Sequence, residues 1–178
     1  PIPGDTQIGH VCQHPESGLG AQEEWAAHAP WWVELRRAVD TLAVHPTERV
    51  CVAGTSLRLR LLAAFGVEIE PGELEWTCAH GDLHWANLTA PQLHLLDWEV
   101  WGMAPTGYDP AVLYCASILT PEVHDAVHTM FAELLDSPSG RVAQLAAALK
   151  LLCLVEDGEH LDIAAPLHRH AHTLIAQM

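Results

Sequence analysis

Between residues 80 and 99 this sequence gathers His80, Asp82, His84, Asn87, Asp97 and Glu99, within His80-Gly81-Asp82-Leu83-His84-Trp85-Ala86-Asn87 and Leu95-Leu96-Asp97-Trp98-Glu99. Two carboxylates and an amide separated by short apolar runs suit a hard divalent cation. Mg2+ takes oxygen ligands, typically one or two protein carboxylates, with water and substrate phosphates completing the set. Asn87 and Asp97 supply that coordination in this reading, and Asp82 is left to orient a hydroxyl nucleophile. Phosphoryl transfer asks mainly for alignment and neutralised charge, which such a cluster provides.

The elements that must position these groups are short. Leu74 to Ala79 reads as a strand that delivers Asp82 to a loop beyond His80. Asn87-Leu88-Thr89 and Leu93-His94-Leu95-Leu96 flank Ala90-Pro91-Gln92 as a small hairpin, whose return arm brings Asp97 back beside Asn87. Gly102 to Gly107 reads as a loop, after which Asp109 caps a helix with Pro110 at its first position.

Helical patterns surround this centre. Residues 1–22, rich in Pro, Gly and His, read as an irregular lead-in. A helix is expected over about 23–42, with Trp25, Trp32, Leu35, Val39 and Leu42 near one face. A second is expected from Pro46 to Phe65, closed by Gly66, and Pro71-Gly72 marks a turn. Further helices are expected at about 109–119, 121–135, 138–156 and 160–176, the third with an apolar stripe of Val142, Leu145, Ala146, Leu149, Leu152 and Cys153. The expected fold class is mainly α, formally α+β: helices over 23–66, a loop and hairpin over 74–99, and a helical part over 109–176.

The central motif also resembles a known family. The catalytic loop of protein kinases carries an Asp, four intervening residues and a metal-binding Asn, with a second metal-binding Asp further on. Asp82, Asn87 and Asp97 keep that order and spacing, and His-Gly-Asp-Leu-His-x-x-Asn followed by Asp-Trp-Glu resembles the aminoglycoside phosphotransferase/choline kinase branch. Gly107-Tyr108-Asp109-Pro110-Ala111 is similar to that family's Asp-Leu-Ala helix start. The resemblance covers residues 76–115 strongly and the other helices in outline.

It implies a protein-kinase-like C-terminal lobe in which Asp82 is the catalytic base and Asn87 and Asp97 hold Mg2+ and the phosphates of ATP or GTP. It further implies that His84 lies near the γ-phosphate, while His80, Asp109 and Glu99 support the site. Trp85 is bulkier than the residue expected there, which would alter the mouth of the site. The family grips ATP with an N-terminal β-rich lobe bearing a strand lysine. No such segment precedes residue 76, and the only lysine, Lys150, falls in a late helix. The chain is therefore expected to be the catalytic lobe alone, with a separate or deleted N-terminal lobe, and to bind ATP weakly by itself.

Composition narrows the partners. Twenty-three acidic residues face eight basic ones for a formal net charge of −15, a field that repels nucleic acid and anionic membranes and attracts cations. Glu156, Asp157, Glu159, Asp162 and the acids of 68–75 are candidates for a negative wall that favours a small cationic acceptor such as an aminoglycoside. Five dispersed cysteines without a CxxC pair read as reduced thiols, and no signal peptide or long apolar run is evident, so a cytoplasmic location is expected. Two rivals stand beside the kinase reading. One is a non-catalytic kinase scaffold that binds a ligand or partner. The other is a His-rich metal protein using His168, His170 and His172 or the Cys12/His14 pair.

Overall fold

The computed structural model describes residues 29–178. Over this range the protein is mainly helical, 61% helix and 7% strand, with one small two-stranded antiparallel sheet. Among the described residues there are six α-helices: α1 (Ala29–Ala43), α2 (Gly54–Phe65), α3 (Tyr108–Ala116), α4 (Pro121–Leu135), α5 (Pro138–Glu156) and α6 (Ala164–Ile175). The strands are β1 (Trp76–Ala79) and β2 (Gly102–Pro105).

α5 is the organising element. Ser137 caps it, its hydroxyl accepting from the Gly140 N–H at 2.9 Å, and Pro138 occupies the first turn, where a missing N–H costs nothing. Rather than one stripe, α5 buries residues around its whole circumference from Ser139 to Ala148, because α3, α4 and α6 all pack on it. It is 19 residues long with mean hydropathy 1.2, apolar enough by length and composition to cross a membrane. Its packing between helices is what a core helix requires. Its own Leu145 is fully buried, as are Leu113, Val123, Val127, Phe131, Leu135 and Leu167 of the neighbouring helices.

α4 and α5 run as the sequence predicts, and Gly66 closes α2 with φ 67° and its N–H turned back to the Leu61 and Leu62 carbonyls. Other expectations of the layout fail, the 109–119 helix among them, which ends at Ala116. α2 begins at Gly54 and not at Pro46, because the Arg49–Val52 backbone is drawn against β2: the Cys51 and Val52 N–H groups both donate to the Met103 carbonyl, and Met103 N–H donates to Arg49. Gly102–Pro105 is a strand and not a loop. It pairs with β1 from Ala79↔Gly102 to Trp76↔Pro105, and its Pro sits at the end of a two-stranded sheet where the missing donor is tolerated. The last helix is shorter, a 3₁₀ turn at Leu161–Ile163 preceding α6. The lead-in of residues 1–22, and the expected helix start and Trp25, lie outside the described residues.

Candidate functional site

Carboxylate, imidazole and ammonium groups converge on the turn that leaves β1. Gly81 takes φ 87°, and a Cβ there would come within 2.5 Å of Cys51 Sγ and 2.9 Å of the Val100 carbonyl, so only glycine fits. Asp109, 3% exposed, accepts from the His80 N–H at 2.7 Å and the Gly81 N–H at 2.8 Å. The expectation that Asp109 caps its own helix is corrected: α3 starts at Tyr108 behind Gly107, and the Asp109 carboxylate spans the fold to hold the loop. Burial pushes its carboxyl above the usual range, while the two amide donors pull the other way.

His80 is fully buried and locked in one tautomer. Its Nδ1 accepts from the Asp82 N–H at 3.3 Å, so Nε2 carries the proton and donates to the Leu96 carbonyl at 2.8 Å. That bond ties the loop to the far arm of the 87–96 turn, where Leu96 N–H also donates to the Asn87 carbonyl at 2.9 Å. The expected hairpin is thus present as a single Leu88↔Leu95 bridge rather than two strands. Its tip is closed by Thr89 Oγ1, which donates to the Gln92 carbonyl at 2.6 Å.

Asp82 stands at the tip of the loop, partly exposed. Its Oδ1 accepts from Lys150 Nζ at 2.5 Å, and its Oδ2 lies 3.4 Å from His84 Nε2. His84 Nδ1 accepts from the Ala86 N–H, capping the 3₁₀ turn Trp85–Asn87, so Nε2 is the protonated nitrogen facing Asp82. The His84 ring and then the Lys150 ammonium hold the Asp82 carboxyl well below the usual carboxylate range, against its partial burial. Asn87 is buried, and its Nδ2 donates to the Asp82 carbonyl at 2.9 Å and reaches Oδ2 at 3.5 Å. Its amide oxygen accepts no hydrogen bond among the described residues.

Asp97 follows Leu96 directly in a left-handed conformation, φ 61°, and is exposed. Its carboxylate makes no hydrogen bond or ion pair among the described residues. Glu99 is exposed too, and what it contributes is its backbone carbonyl, which accepts from Arg49 Nη2 at 2.9 Å. Asp82, His84 and Asn87 therefore form one hydrogen-bonded group braced by His80 and Asp109, and Asp97 is joined to it through the backbone of Leu96. Among the described residues no group of three or more His, Cys, Asp or Glu is placed to hold a metal. The Asn87 amide oxygen and the Asp97 and Glu99 carboxylates accept no hydrogen bond among the described residues, and Asn87 with Asp97 are hard donors of the kind an ion takes when water and phosphate complete its shell.

Lys150 is the participant that sequence reasoning missed. It reaches from α5 to the Gly81 carbonyl at 2.9 Å as well as to Asp82. Its status as the only lysine was the available signal, but nothing in a linear reading links residue 150 to residue 82.

The remaining candidates separate clearly. Trp85 faces the core and not the mouth, stacked on Trp31 with ring centroids 6.1 Å apart and donating to Ser117 Oγ at 2.9 Å. Trp98 packs edge-on against His80, centroids 4.6 Å apart, and helps line an open groove of about 490 Å3 with Leu93, the α1 residues Glu34, Arg37 and Leu42, and His45 just beyond that helix. Of the acids expected to form a wall, Glu68 and Glu70 lie 3.1 and 3.5 Å from Arg58, whereas Glu156, Asp157, Glu159 and Asp162 are exposed. His170 lies under α5, its Nε2 3.1 Å from Gln144 Oε1, while His168 and His172 are exposed, so the three do not converge. Cys12 and His14 lie outside the described residues. Burial pushes the Cys51 thiol up to about 11 and Cys115 up to about 12, so neither is poised as a nucleophile.

No family model, no curated protein and no solved structure matches this chain.

Proposed function

We propose that this protein carries the catalytic half of a Mg2+-dependent phosphotransferase that moves the γ-phosphate of ATP or GTP to a hydroxyl of a small, cationic molecule, as in the aminoglycoside phosphotransferase/choline kinase family, with a kinase-like C-terminal lobe as its fold. The observation that carries this reading is the Asp82 loop: one partly exposed carboxylate, fixed at a loop tip, with a buried Asn87 five residues on and hydrogen-bonded to it. A lone loop-capping Asp needs no such brace from Asp109, His80 and Asn87 together.

In this reading the acceptor oxygen forms a bond to the γ-phosphorus while the bond from that phosphorus to the β–γ bridging oxygen breaks, and ADP or GDP leaves. Asp82 orients the hydroxyl and receives its proton. A carboxyl held below its ordinary range is a weak base, which fits a loose transition state in which alignment matters more than early proton removal. Asn87 and Asp97 would hold the divalent ion, which when bound neutralises phosphate charge. The exposed acids at the end of α5 favour a cationic acceptor.

The test is calorimetry of ATP and GTP binding with Mg2+ or with EDTA, followed by phosphate transfer from radiolabelled nucleotide to a panel of aminoglycosides, choline and homoserine. Both should be done with this chain alone and with any upstream coding segment included. The expected result is Mg2+-dependent binding lost in Asp97→Asn, and transfer lost in Asp82→Asn with nucleotide binding retained. Binding without transfer in every form would favour the non-catalytic scaffold. No Mg2+-dependent nucleotide binding in any form would overturn the proposal.

A further inference from the structure

The loop that carries Asp82 is gripped from two sides by groups far apart in sequence. On one side Asp109 takes the N–H groups of His80 and Gly81. On the other, Lys150 donates to the Gly81 carbonyl and to Asp82 Oδ1. Lys150 is well placed to be rigid, since Ala146, Ala147 and Leu151 beside it on α5 are buried and fix the helix against the core. The loop backbone runs close to Cys51 and Val100 here, since a Cβ added at Gly81 would collide with Cys51 Sγ and the Val100 carbonyl.

We propose that Lys150 is the positioning residue of the phosphoryl-transfer site, holding Asp82 Oδ1 so that Oδ2 alone is presented to the acceptor hydroxyl. This rests on the phosphotransfer reading above. The two oxygens are visibly unequal: Oδ1 takes a 2.5 Å contact from an ammonium, while Oδ2 has only long contacts, 3.4 Å to His84 and 3.5 Å to Asn87. An ammonium carries three donors, and two are committed to the loop. The second bond to the Gly81 carbonyl anchors Nζ beside the loop, so rotation of the Asp82 carboxylate would break the Oδ1 contact without carrying the ammonium along. The transfer itself is unchanged in its balance: acceptor oxygen to phosphorus, bridging oxygen to the departing diphosphate, and the hydroxyl proton to Oδ2. Lys150 exchanges no proton in it.

That the chain has one lysine makes the clamp directly observable. Protein labelled with 15N at lysine gives a single side-chain ammonium resonance. In the wild-type chain that resonance is expected to be shifted from free lysine and slow to exchange with water, and to revert to free-lysine behaviour in Asp82→Asn. A free-lysine signal in the wild type overturns the clamp, whatever the activity. In the kinetic arm Lys150→Met should lower kcat about a hundredfold, the scale of a misplaced catalytic group, with the KM for nucleotide within about threefold, and Lys150→Arg should recover to within about tenfold of wild type. Equal losses in the Met and Arg variants, or unchanged turnover in Lys150→Met, overturn the positioning role. If the wild type transfers no phosphate while the ammonium signal behaves as expected, the catalytic reading fails and the clamp is a structural tie only. The two failures are therefore distinct.

Discussion

Asp109→Asn is the substitution that most directly tests how the loop is held. The carboxylate is 3% exposed and satisfies two backbone donors, His80 N–H at 2.7 Å and Gly81 N–H at 2.8 Å. Asparagine keeps one acceptor oxygen and turns an NH2 against the other N–H. One charge-assisted bond, worth about 1.5–3 kcal/mol, becomes a neutral bond of roughly half that, and one buried donor is stranded at about 1–3 kcal/mol. Removing a buried charge returns part of the loss, because burial already strains this carboxyl towards its neutral form. A net destabilisation of about 2–3 kcal/mol is expected, a large share of the roughly 5–15 kcal/mol available to a domain. Urea unfolding followed by tryptophan emission reads the loss as a lower midpoint at unchanged slope. Amide exchange locates it, with His80 and Gly81 losing protection ahead of the helices. A change within about 0.5 kcal/mol together with unchanged protection at both amides would refute the reasoning, since the loop would then be held by something other than Asp109.

The other expectations are more local. His170 is pulled down to about 4 by burial, with His124 adding to it, so its folded value lies below the unfolded value of about 6.5. Its contribution to stability is complete above pH 6.5 and is lost as pH falls through 4. After allowance for partial exposure, His170→Gln should narrow the wild-type advantage by about 1–2 kcal/mol between pH 7 and pH 4.5, and a constant difference in urea melts would contradict this. Gly140→Ala places a Cβ into the Leu134 carbonyl where α4 meets α5, and should cost more than about 3 kcal/mol, with a melting temperature near wild type as the adverse result. Cys51, with its thiol at about 11, should alkylate roughly a hundredfold slower than an unfolded cysteine at pH 8, and comparable rates by mass spectrometry would show the thiol to be open. Trp85→Phe removes the donor to Ser117 Oγ and leaves a buried hydroxyl with one fewer partner, for an expected loss of about 1–2 kcal/mol in the same urea assay.

Periodicity and end signals made the helical part legible. Pro121–Leu135 and Pro138–Glu156 start on prolines that a first turn accepts, and Gly66 ends α2 because only a residue at ease with positive φ closes a helix that way. The nearness of Asp82 to Asn87 was legible too, because five residues of chain cannot separate them far. Non-local backbone pairing was not legible. Gly102–Pro105 carries loop residues and becomes a strand only because Trp76–Ala79 and Arg49–Val52 come to lie on either side of it.

The sequence by itself determined that a helical body would carry an acid and an amide on one short loop, since helix periods and loop spacing are local properties of the chain. Only the tertiary structure decided what holds that loop. Asp109 turned away from its own helix to the His80 and Gly81 amides, and Lys150 came from 68 residues away to meet Asp82, because the packing of α5 against its neighbours sets that partly exposed position beside the loop. Contacts of that kind arise from the packing of whole helices, and no window of sequence contains them.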